Sequence, residues 1–261
     1  MTIDATSTEA PAPAEEATVP GAGSPEPEAG SAAVPEALRQ RLALVLDVDD
    51  LVVAVRLARE LQPWFGTVKV GLELYSAAGP DAITSLFDLG LDVFCDLKLH
   101  DIPTTVGRAA RVLGSLGARY VTIHAAGGVP MLRAGAEGLR EGAASAELPA
   151  PVPLAVTVLT SDAEASSHTL QQRVTAGLDA GCGGFVCAVP DIAIVREIAP
   201  AACIVTPGIR ADGAPVDDQA RVATPQAALD AGSDLLVIGR AVTRADDPAA
   251  AAAALLSGLT V

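Results

Sequence analysis

Basic side chains are scarce in this sequence. It carries 17 Lys and Arg against 32 Asp and Glu in 261 residues, which gives a formal net charge of −15. A chain this acidic repels the phosphates of nucleic acids and anionic membrane surfaces, so we expect neither as a partner. An anionic substrate would need a local basic site set against this background.

Long apolar runs and paired cysteines are also missing. Half of the residues are apolar, yet no run reaches the roughly 20 residues of a membrane-spanning helix. The first 20 residues contain no Lys or Arg and no apolar stretch follows them, so we expect no secretory signal and a cytoplasmic protein. The four cysteines stand singly, without C-x-x-C spacing, which indicates buried free thiols rather than disulfides or a zinc site.

The first 35 residues differ in composition from the rest of the chain. They are rich in Ala, Pro, Glu, Gly and Ser and have almost no large apolar side chains. Such a segment cannot bury enough surface to offset its ordering entropy, so residues 1–35 are predicted to be a disordered acidic tail. Residues 36–261 are long enough for one α/β barrel, a fold of about 250 residues.

From residue 42 onward, short apolar runs alternate with helical-looking stretches such as LVVAVRLARELQ. Runs that are this continuously apolar are typical of parallel strands buried on both faces. Eight of them predict an α/β fold, a closed TIM (β/α)8 barrel. An open doubly wound sheet is the alternative, although no G-x-G-x-x-G follows the first strand. The predicted strands are LALVLDV (42–48), TVKVG (67–71), DVFCDLK (92–98), RYVTIH (119–124), VPLAVTVLT (152–160), GGFVCAV (183–189), ACIVTPGI (202–209) and DLLVIGR (234–240).

Charged residues collect where these predicted strands end, which is the face that carries function in such barrels. Asp47 ends the first strand, Lys69 lies in the second, and Asp96 and Lys98 end the third. Side chains alternate along a strand, so Asp96 and Lys98 should face the same way. Each residue taken singly could be a solvated loop residue or half of a surface ion pair. Together they predict an alternating Asp/Lys array.

The chemistry of such an array is constrained by its two lysines. Carboxylates alone would suggest a divalent cation, but the lysines already neutralise them. A Schiff-base lysine must be neutral, whereas carboxylate neighbours favour the ammonium. A charged lysine is a proton donor and stabilises developing negative charge.

The last two strands carry a different signal. TPGIR and VIGR place glycine beside Arg210 and Arg240. In TIM barrels the loops after strands seven and eight commonly bind phosphate. Glycine lets backbone N–H groups approach the oxygens, and arginine adds a forked donor. Either arginine alone would be an ordinary surface residue, but the pair predicts a phosphate site.

Taken together, these residues resemble the bacterial branch of the orotidine 5′-monophosphate decarboxylase family. The signature D-x-K-x-x-D-I-P stands here as DLKLHDIP, residues 96–103. The similarity covers about residues 40–245 and includes, in order, LALVLDVDD, VKVGLELY, VTIHAAGG, VTVLTS, TPGIR, DDQARVATP and LLVIGRAVT. The resemblance implies a barrel that works without metal or cofactor, converts orotidine 5′-monophosphate to UMP in pyrimidine biosynthesis, and is usually a homodimer.

The resemblance also implies roles for individual residues. Lys98 would donate a proton to C6 of the pyrimidine, and Asp96 would sit against the departing carboxylate. Asp101 would be contributed by the other subunit, and Lys69 would complete the array and contact the ribose. The further substrate-binding residues would be Asp47 at the ribose hydroxyls, Thr105 in the ligand-contacting segment just after the signature, Thr160 by the pyrimidine, and Arg210, Gln219, Gly239 and Arg240 at the phosphate.

Two other functions remain open from the sequence. Metal-dependent hexulose-phosphate synthases and keto-gulonate-phosphate decarboxylases resemble the same D-x-K-x-x-D pattern, but look to carry Glu where this chain has Lys69, and use Mg²⁺. A non-catalytic barrel that binds a phosphate ligand would keep TPGIR and VIGR and lose the charged array. We expect His100 and His124 to be structural rather than catalytic.

Overall fold

A computed structural model of the chain describes residues 33–158, 166–211 and 222–260. Its eight strands form a closed barrel in sequence order, with parallel pairing throughout and β1 beside β8. The predicted TIM barrel is therefore confirmed, and the open doubly wound sheet is wrong. The strands are β1 (Leu42–Val45), β2 (Thr67–Val70), β3 (Asp92–Leu99), β4 (Ala118–His124), β5 (Val152–Val156), β6 (Gly184–Val186), β7 (Cys203–Thr206) and β8 (Leu235–Ile238).

Helices follow the strands and form the outer layer. Most strands end earlier than the apolar runs suggested, although β3 and β4 extend to Leu99 and His124. The helices within the described residues are α1 (Glu36–Arg39), α2 (Leu51–Leu61), α3 (Leu72–Ala78), α4 (Asp81–Phe87), α5 (Pro103–Ser115), α6 (Gly128–Ser145), α7 (Ser167–Asp179), α8 (Ile192–Ile198), α9 (Pro225–Asp230), α10 (Arg240–Thr243) and α11 (Pro248–Leu256).

The barrel interior is filled by apolar side chains rather than left as a pore. Phe94, Leu154 and Val205 are buried together there with residues from β1 and β8. Larger apolar clusters lie between the strands and the helices. This packing fills the barrel below its carboxyl-terminal face, which is the face where functional sites of such barrels lie.

Helices α5 and α6 pack unusually close together. A Cβ at Gly114 would overlap the Leu139 carbonyl, and one at Gly142 would overlap the Arg111 carbonyl. Glycine is required at both positions because backbone meets backbone. Helix α5 follows β3, the strand in which the DLKLHDIP signature begins, and α6 follows the neighbouring strand β4. The close contact between the helices therefore holds these two strands together.

The four cysteines are free thiols, as the sequence predicted. Cys95, Cys182 and Cys187 are buried, and Cys203 is half-buried. Burial raises the pKa of Cys95 to about 12, so its thiol is inert. Within the described ranges, no helix is both long and apolar enough to cross a membrane.

The predicted tail lies outside the described residues except for its last three. Val34 packs partly against the core and the Pro35 carbonyl accepts the backbone N–H groups of Leu38 and Arg39. Among the described residues, contacts with the barrel are already present at Val34.

Candidate active site

A cavity of about 530 Å³ opens at the carboxyl-terminal ends of the strands. Both polar groups singled out in the sequence reach it, the Asp/Lys residues of β1 to β3 and the Gly/Arg residues after β7 and β8. The described residues that line it are Val45, Asp47, Val48, Lys69, Glu73, Phe94, Asp96, Lys98, Val156, Val158, Val186, Cys187, Pro207, Gly208, Arg210, Val237, Gly239, Arg240, Thr243 and Arg244.

Four charged side chains form a row of alternating sign along one wall. Lys69 Nζ lies 3.5 Å from Asp47 Oδ1 and 3.5 Å from Asp96 Oδ2. Lys98 Nζ lies 2.9 Å from Asp96 Oδ1. The predicted array, defined here as Asp47, Lys69, Asp96 and Lys98, is thus brought together by three neighbouring strands.

Exposure differs along the array. The side chains of Lys69 and Asp96 are 11% and 16% exposed, whereas that of Lys98 is 37% exposed and that of Asp47 is 55% exposed. The middle of the row is therefore held by protein and its two ends reach the solvent side of the cavity. Lys98 is the ammonium that a ligand can approach.

The Asp96 carboxylate remains ionised although it is buried. Burial alone would raise its pKa, but the ammonium groups of Lys69 and Lys98 hold that pKa below its usual value. Hydrogen bonds from Lys98 and from the Thr122 hydroxyl act in the same direction. A fixed negative charge beside Lys98 is the result.

Strand β3 is irregular where it carries the array. Cys95 pairs with Val121 and Leu99 with Ile123, so residues 96–98 stand opposite the single residue Thr122. Lys98 has φ 48°, in the left-handed region that non-glycine residues avoid. Asp96 and Lys98 do line the same cavity, as predicted, but on a bulge rather than on the regular strand that alternation assumed.

Gly71 is a site residue that the sequence interpretation missed. A Cβ there would come 3.0 Å from Lys69 Nζ and 3.1 Å from Asp47 Oδ1. Any side chain would therefore press on the ion pair. The available signal was its place two residues after Lys69, at the end of the run VKVG.

The part of the cavity wall formed by the residues after β7 and β8 carries the basic residues. Arg210 is buried and Arg240 is half-buried, and Gly208 and Gly239 lie beside them. Arg244, which the sequence interpretation overlooked, also lines the cavity. Its signal was the spacing in GRAVTR, since residues four apart share a helix face.

Two predicted site residues do not reach this cavity within the chain. Asp101 is exposed, and its Oδ1 accepts the backbone N–H of Ile102 at 2.6 Å. Thr105 is exposed in the first turn of α5, where its N–H bonds the Ile102 carbonyl. Neither is among the cavity-lining residues. Thr160 and Gln219 lie outside the described residues.

The two histidines near the signature form a stacked pair. The ring centroids of His100 and His124 are 5.3 Å apart, with planes 15° from parallel. His124 Nδ1 accepts the Ala126 N–H, and burial, with His100 nearby, lowers the pKa of His124. Neither ring is among the residues that line the cavity.

Comparison with known proteins gives relatives over most of the chain. The family model described as "Orotidine 5'-phosphate decarboxylase / HUMPS family" matches residues 40–255. The orotidine 5′-phosphate decarboxylase of Moorella thermoacetica is 44% identical over 229 residues, which cover 83% of this chain and 91% of that relative. The enzyme of that name from Thermobifida fusca is 45% identical over 232 residues, covering 84% of this chain and 95% of the relative.

Solved structures agree with the sequence relatives. The crystal structure of orotidine 5′-phosphate decarboxylase from Lactobacillus acidophilus superposes with a TM-score of 0.70 at 32% identity, covering 84% of this chain and 99% of that one. The match in sequence and in fold spans the whole described barrel. The chain belongs to the orotidine 5′-phosphate decarboxylase / HUMPS family.

Proposed function

We propose that this chain decarboxylates orotidine 5′-phosphate to UMP, and that Lys98 supplies the proton that replaces the departing CO₂ at C6. The observation that carries this proposal is the array of alternating charge on one wall of the cavity. When the bond to CO₂ breaks, its electron pair stays on C6, where the ring delocalises it poorly. An ammonium already fixed beside that carbon stabilises the charge without reorganisation and then neutralises it by proton transfer.

Asp96 has a second part in this proposal. Its ionised carboxylate orients Lys98 through the 2.9 Å contact. The same carboxylate would lie near the carboxylate of the substrate and disfavour its charged ground state, a contribution that is debated for enzymes in general. Lys69 limits the repulsion by binding the other oxygen of Asp96.

The direct test is the ultraviolet absorbance change of orotidine 5′-phosphate with purified protein in EDTA. We expect rapid conversion to UMP, and we expect Lys98→Ala to bind UMP but not to turn over the substrate. No conversion by the native protein would overturn the proposal. Turnover by Lys98→Ala at the native rate would remove Lys98 from the chemistry while leaving the reaction intact.

The family description also covers a metal-dependent branch. In this chain the Lys69 ammonium lies between the carboxylates of Asp47 and Asp96, at 3.5 Å from each. A divalent cation bound by these two carboxylates would have to displace that ammonium. This donor set supports chemistry without a metal or other cofactor, and activity on a keto-sugar phosphate that requires Mg²⁺ would contradict it.

The phosphate of the substrate would lie beside Arg210, Gly239 and Arg240. The two guanidinium groups provide positive charge and forked hydrogen-bond donors, which suit a phosphate. We expect Arg240→Ala to weaken UMP binding about 10- to 100-fold, the scale of hydrogen bonds to a charged group. Uridine is the matched control because it has no phosphate, and its affinity should change by less than about twofold. Equal losses for the two ligands would contradict this assignment.

The remaining substrate contacts follow the family pattern. Asp47 would bind the ribose hydroxyls together with Lys69, and Thr160 and Gln219 would contact the pyrimidine and the phosphate. The ribose and the phosphate of the substrate would thus both be held by the protein. Binding energy gained there can position the reacting carbon against Lys98.

Asp101 and Thr105 would act in a homodimer, in the active site of the other subunit. Both are exposed at the amino end of α5, and Ile102 between them is 66% exposed. Mixing Lys98→Ala with Asp101→Asn tests this, because a hybrid dimer then contains one intact site. Random exchange should restore about a quarter of the native sites. No restoration under conditions that exchange subunits would place Asp101 in its own chain's site or in none.

A further inference from the structure

We propose that Thr122 is a positioning residue for this reaction, whose hydroxyl fixes the β3 bulge so that Lys98 and Asp96 face the substrate at a set separation. Thr122 lies on β4 and is not among the residues that line the cavity. It therefore acts through Lys98 and Asp96 rather than on the substrate. The inference rests on the proposed role of Lys98 and adds to it the group that holds Lys98 in place.

The bulge leaves a gap in the sheet that Thr122 fills. Three residues of β3 stand opposite Thr122, so the regular ladder between β3 and β4 cannot continue across them. Buried backbone donors are nearly always hydrogen bonded. The Lys98 N–H is bonded here by the Thr122 side chain, with a distance of 2.8 Å to Oγ1.

The same hydroxyl reaches the carboxylate of the array. Thr122 Oγ1 lies 3.1 Å from Asp96 Oδ1 and 3.5 Å from the Cys95 carbonyl. A hydroxyl has one proton to donate, and the closer, charged acceptor makes the stronger bond. Thr122 thus accepts from the backbone of Lys98 and donates to the side chain of Asp96. One oxygen atom links the two residues at the centre of the array.

Two features make this link important for catalysis. Lys98 has φ 48°, a conformation that needs support from its surroundings. Thr122 is fully buried, so water cannot replace its hydroxyl. Loss of the hydroxyl would leave the Lys98 N–H without its acceptor and free the bulge to relax. The ammonium of Lys98 would then leave its position beside the reacting carbon.

The groups around Asp96 come from three strands. Lys69 approaches from β2, Lys98 from β3 itself, and Thr122 from β4, with Asp47 beyond Lys69. Of these, Thr122 alone is uncharged and contacts both the backbone and the carboxylate. Its removal should therefore change geometry more than net charge.

The test is the near-isosteric change Thr122→Val, which removes the hydroxyl and keeps the shape. We expect kcat for orotidine 5′-phosphate to fall about 10- to 100-fold, the scale of a misplaced catalytic group. UMP affinity should stay within about threefold, because Thr122 lies on β4, whereas the arginines proposed to bind the phosphate follow β7 and β8. A purely structural role would lower the fraction of folded protein and leave the kcat of that fraction unchanged.

Thr67→Val is the matched control. Thr67 is also a fully buried threonine on a barrel strand, and within the described part of the chain its hydroxyl has no hydrogen-bond partner. We expect its kcat to stay within about twofold of the native value, since no donor or acceptor loses a bond. Equal losses of kcat in the two valine variants would overturn the proposal.

Thr122→Ser supplies the rescue. Serine keeps the hydroxyl and loses the methyl group, so we expect kcat within about threefold of native even if stability falls. A serine variant as slow as the valine variant would overturn the proposal, as would a native kcat in Thr122→Val. Failure of the proposed reaction would appear differently, as an inactive native protein or a fully active Lys98→Ala in the same assay.

Discussion

Each end of this barrel carries a cluster in which basic and acidic side chains are paired. The array of Asp47, Lys69, Asp96 and Lys98 lies at the carboxyl ends of the strands. Arg196 and Asp234 lie at the amino ends of β7 and β8, with Arg196 Nη2 2.6 Å from Asp234 Oδ2. Both contain the same kinds of groups, but their surroundings differ.

The amino-end pair also forms hydrogen bonds with the surrounding backbone. Arg196 also donates to the carbonyls of Ala202 and Gly232, each at 2.7 Å, and Asp234 accepts the Ile204 N–H at 2.7 Å. Lys98 has one hydrogen-bonded side chain at its ammonium among the described residues, Asp96, and faces the cavity. Both clusters border a cavity. The amino-end pair differs because its groups are bonded to the backbone of the surrounding loops and strands, which stabilises the fold, whereas a ligand can approach the ammonium of Lys98.

Breaking the array should have the largest effect. We expect Lys98→Ala and Lys98→Gly to lower kcat at least about a thousandfold, because both remove the proton donor. The glycine variant should be more stable than the alanine variant by up to about 1 kcal/mol, because only glycine accepts positive φ without strain. Single-turnover kinetics and urea unfolding measure the two effects. An alanine variant more stable than the glycine variant would argue against strain at Lys98.

Breaking the amino-end pair should affect stability alone. Asp234→Ala removes the acceptor of Arg196 and of the Ile204 N–H, and we expect a loss of about 1–3 kcal/mol in the free energy of unfolding. The kcat of the folded protein should stay within about twofold. Asp230→Ala is the control, since its carboxylate is exposed and bonds only Gln226 among the described residues. Comparable destabilisation by the two variants would mean that the bonds of Asp234 to Arg196 and to the backbone add no more stability than the contact of a surface carboxylate.

The pH dependence of stability isolates the charge of Asp96. Its pKa is lowered in the folded state, so its contribution is complete above the unfolded aspartate pKa of about 3.9 and is lost as the pH falls through the lower folded pKa. The difference in unfolding free energy between the native protein and Asp96→Asn should be constant from about pH 7 to about pH 5 and shrink below about pH 4. Urea unfolding across this range measures it, and a difference that grows towards low pH would contradict the assignment.

Removing residues 1–32 should have the smallest effect. The sequence of this segment has almost no large apolar side chains. We expect kcat within about twofold of the full chain and an unchanged unfolding free energy, because such a segment adds no core burial. A tenfold loss of kcat would mean that this segment belongs to the site or to a subunit interface.

The sequence predicts well those features that depend on short stretches of chain. Eight apolar runs located the eight strands, and the residues at or just beyond the carboxyl ends of these runs included Asp47, Asp96, Arg210 and Arg240 at the cavity. Parallel strands in a closed barrel bring all their carboxyl ends to one face, so position along each run was enough. Asp101 and Thr105 do not reach the cavity of their own chain, and a sequence cannot show which copy a residue serves.

Local patterns alone determined the eight strands, the charge of the array and the basic residues after β7 and β8, because burial and alternation operate over a few residues. Only the tertiary structure decided how those charges are held. The β3 bulge, the left-handed Lys98 and the bridging hydroxyl of Thr122 depend on the register between β3 and β4. Register is set by packing across the whole sheet, and helices α5 and α6, which meet through glycine, help to hold those two strands together.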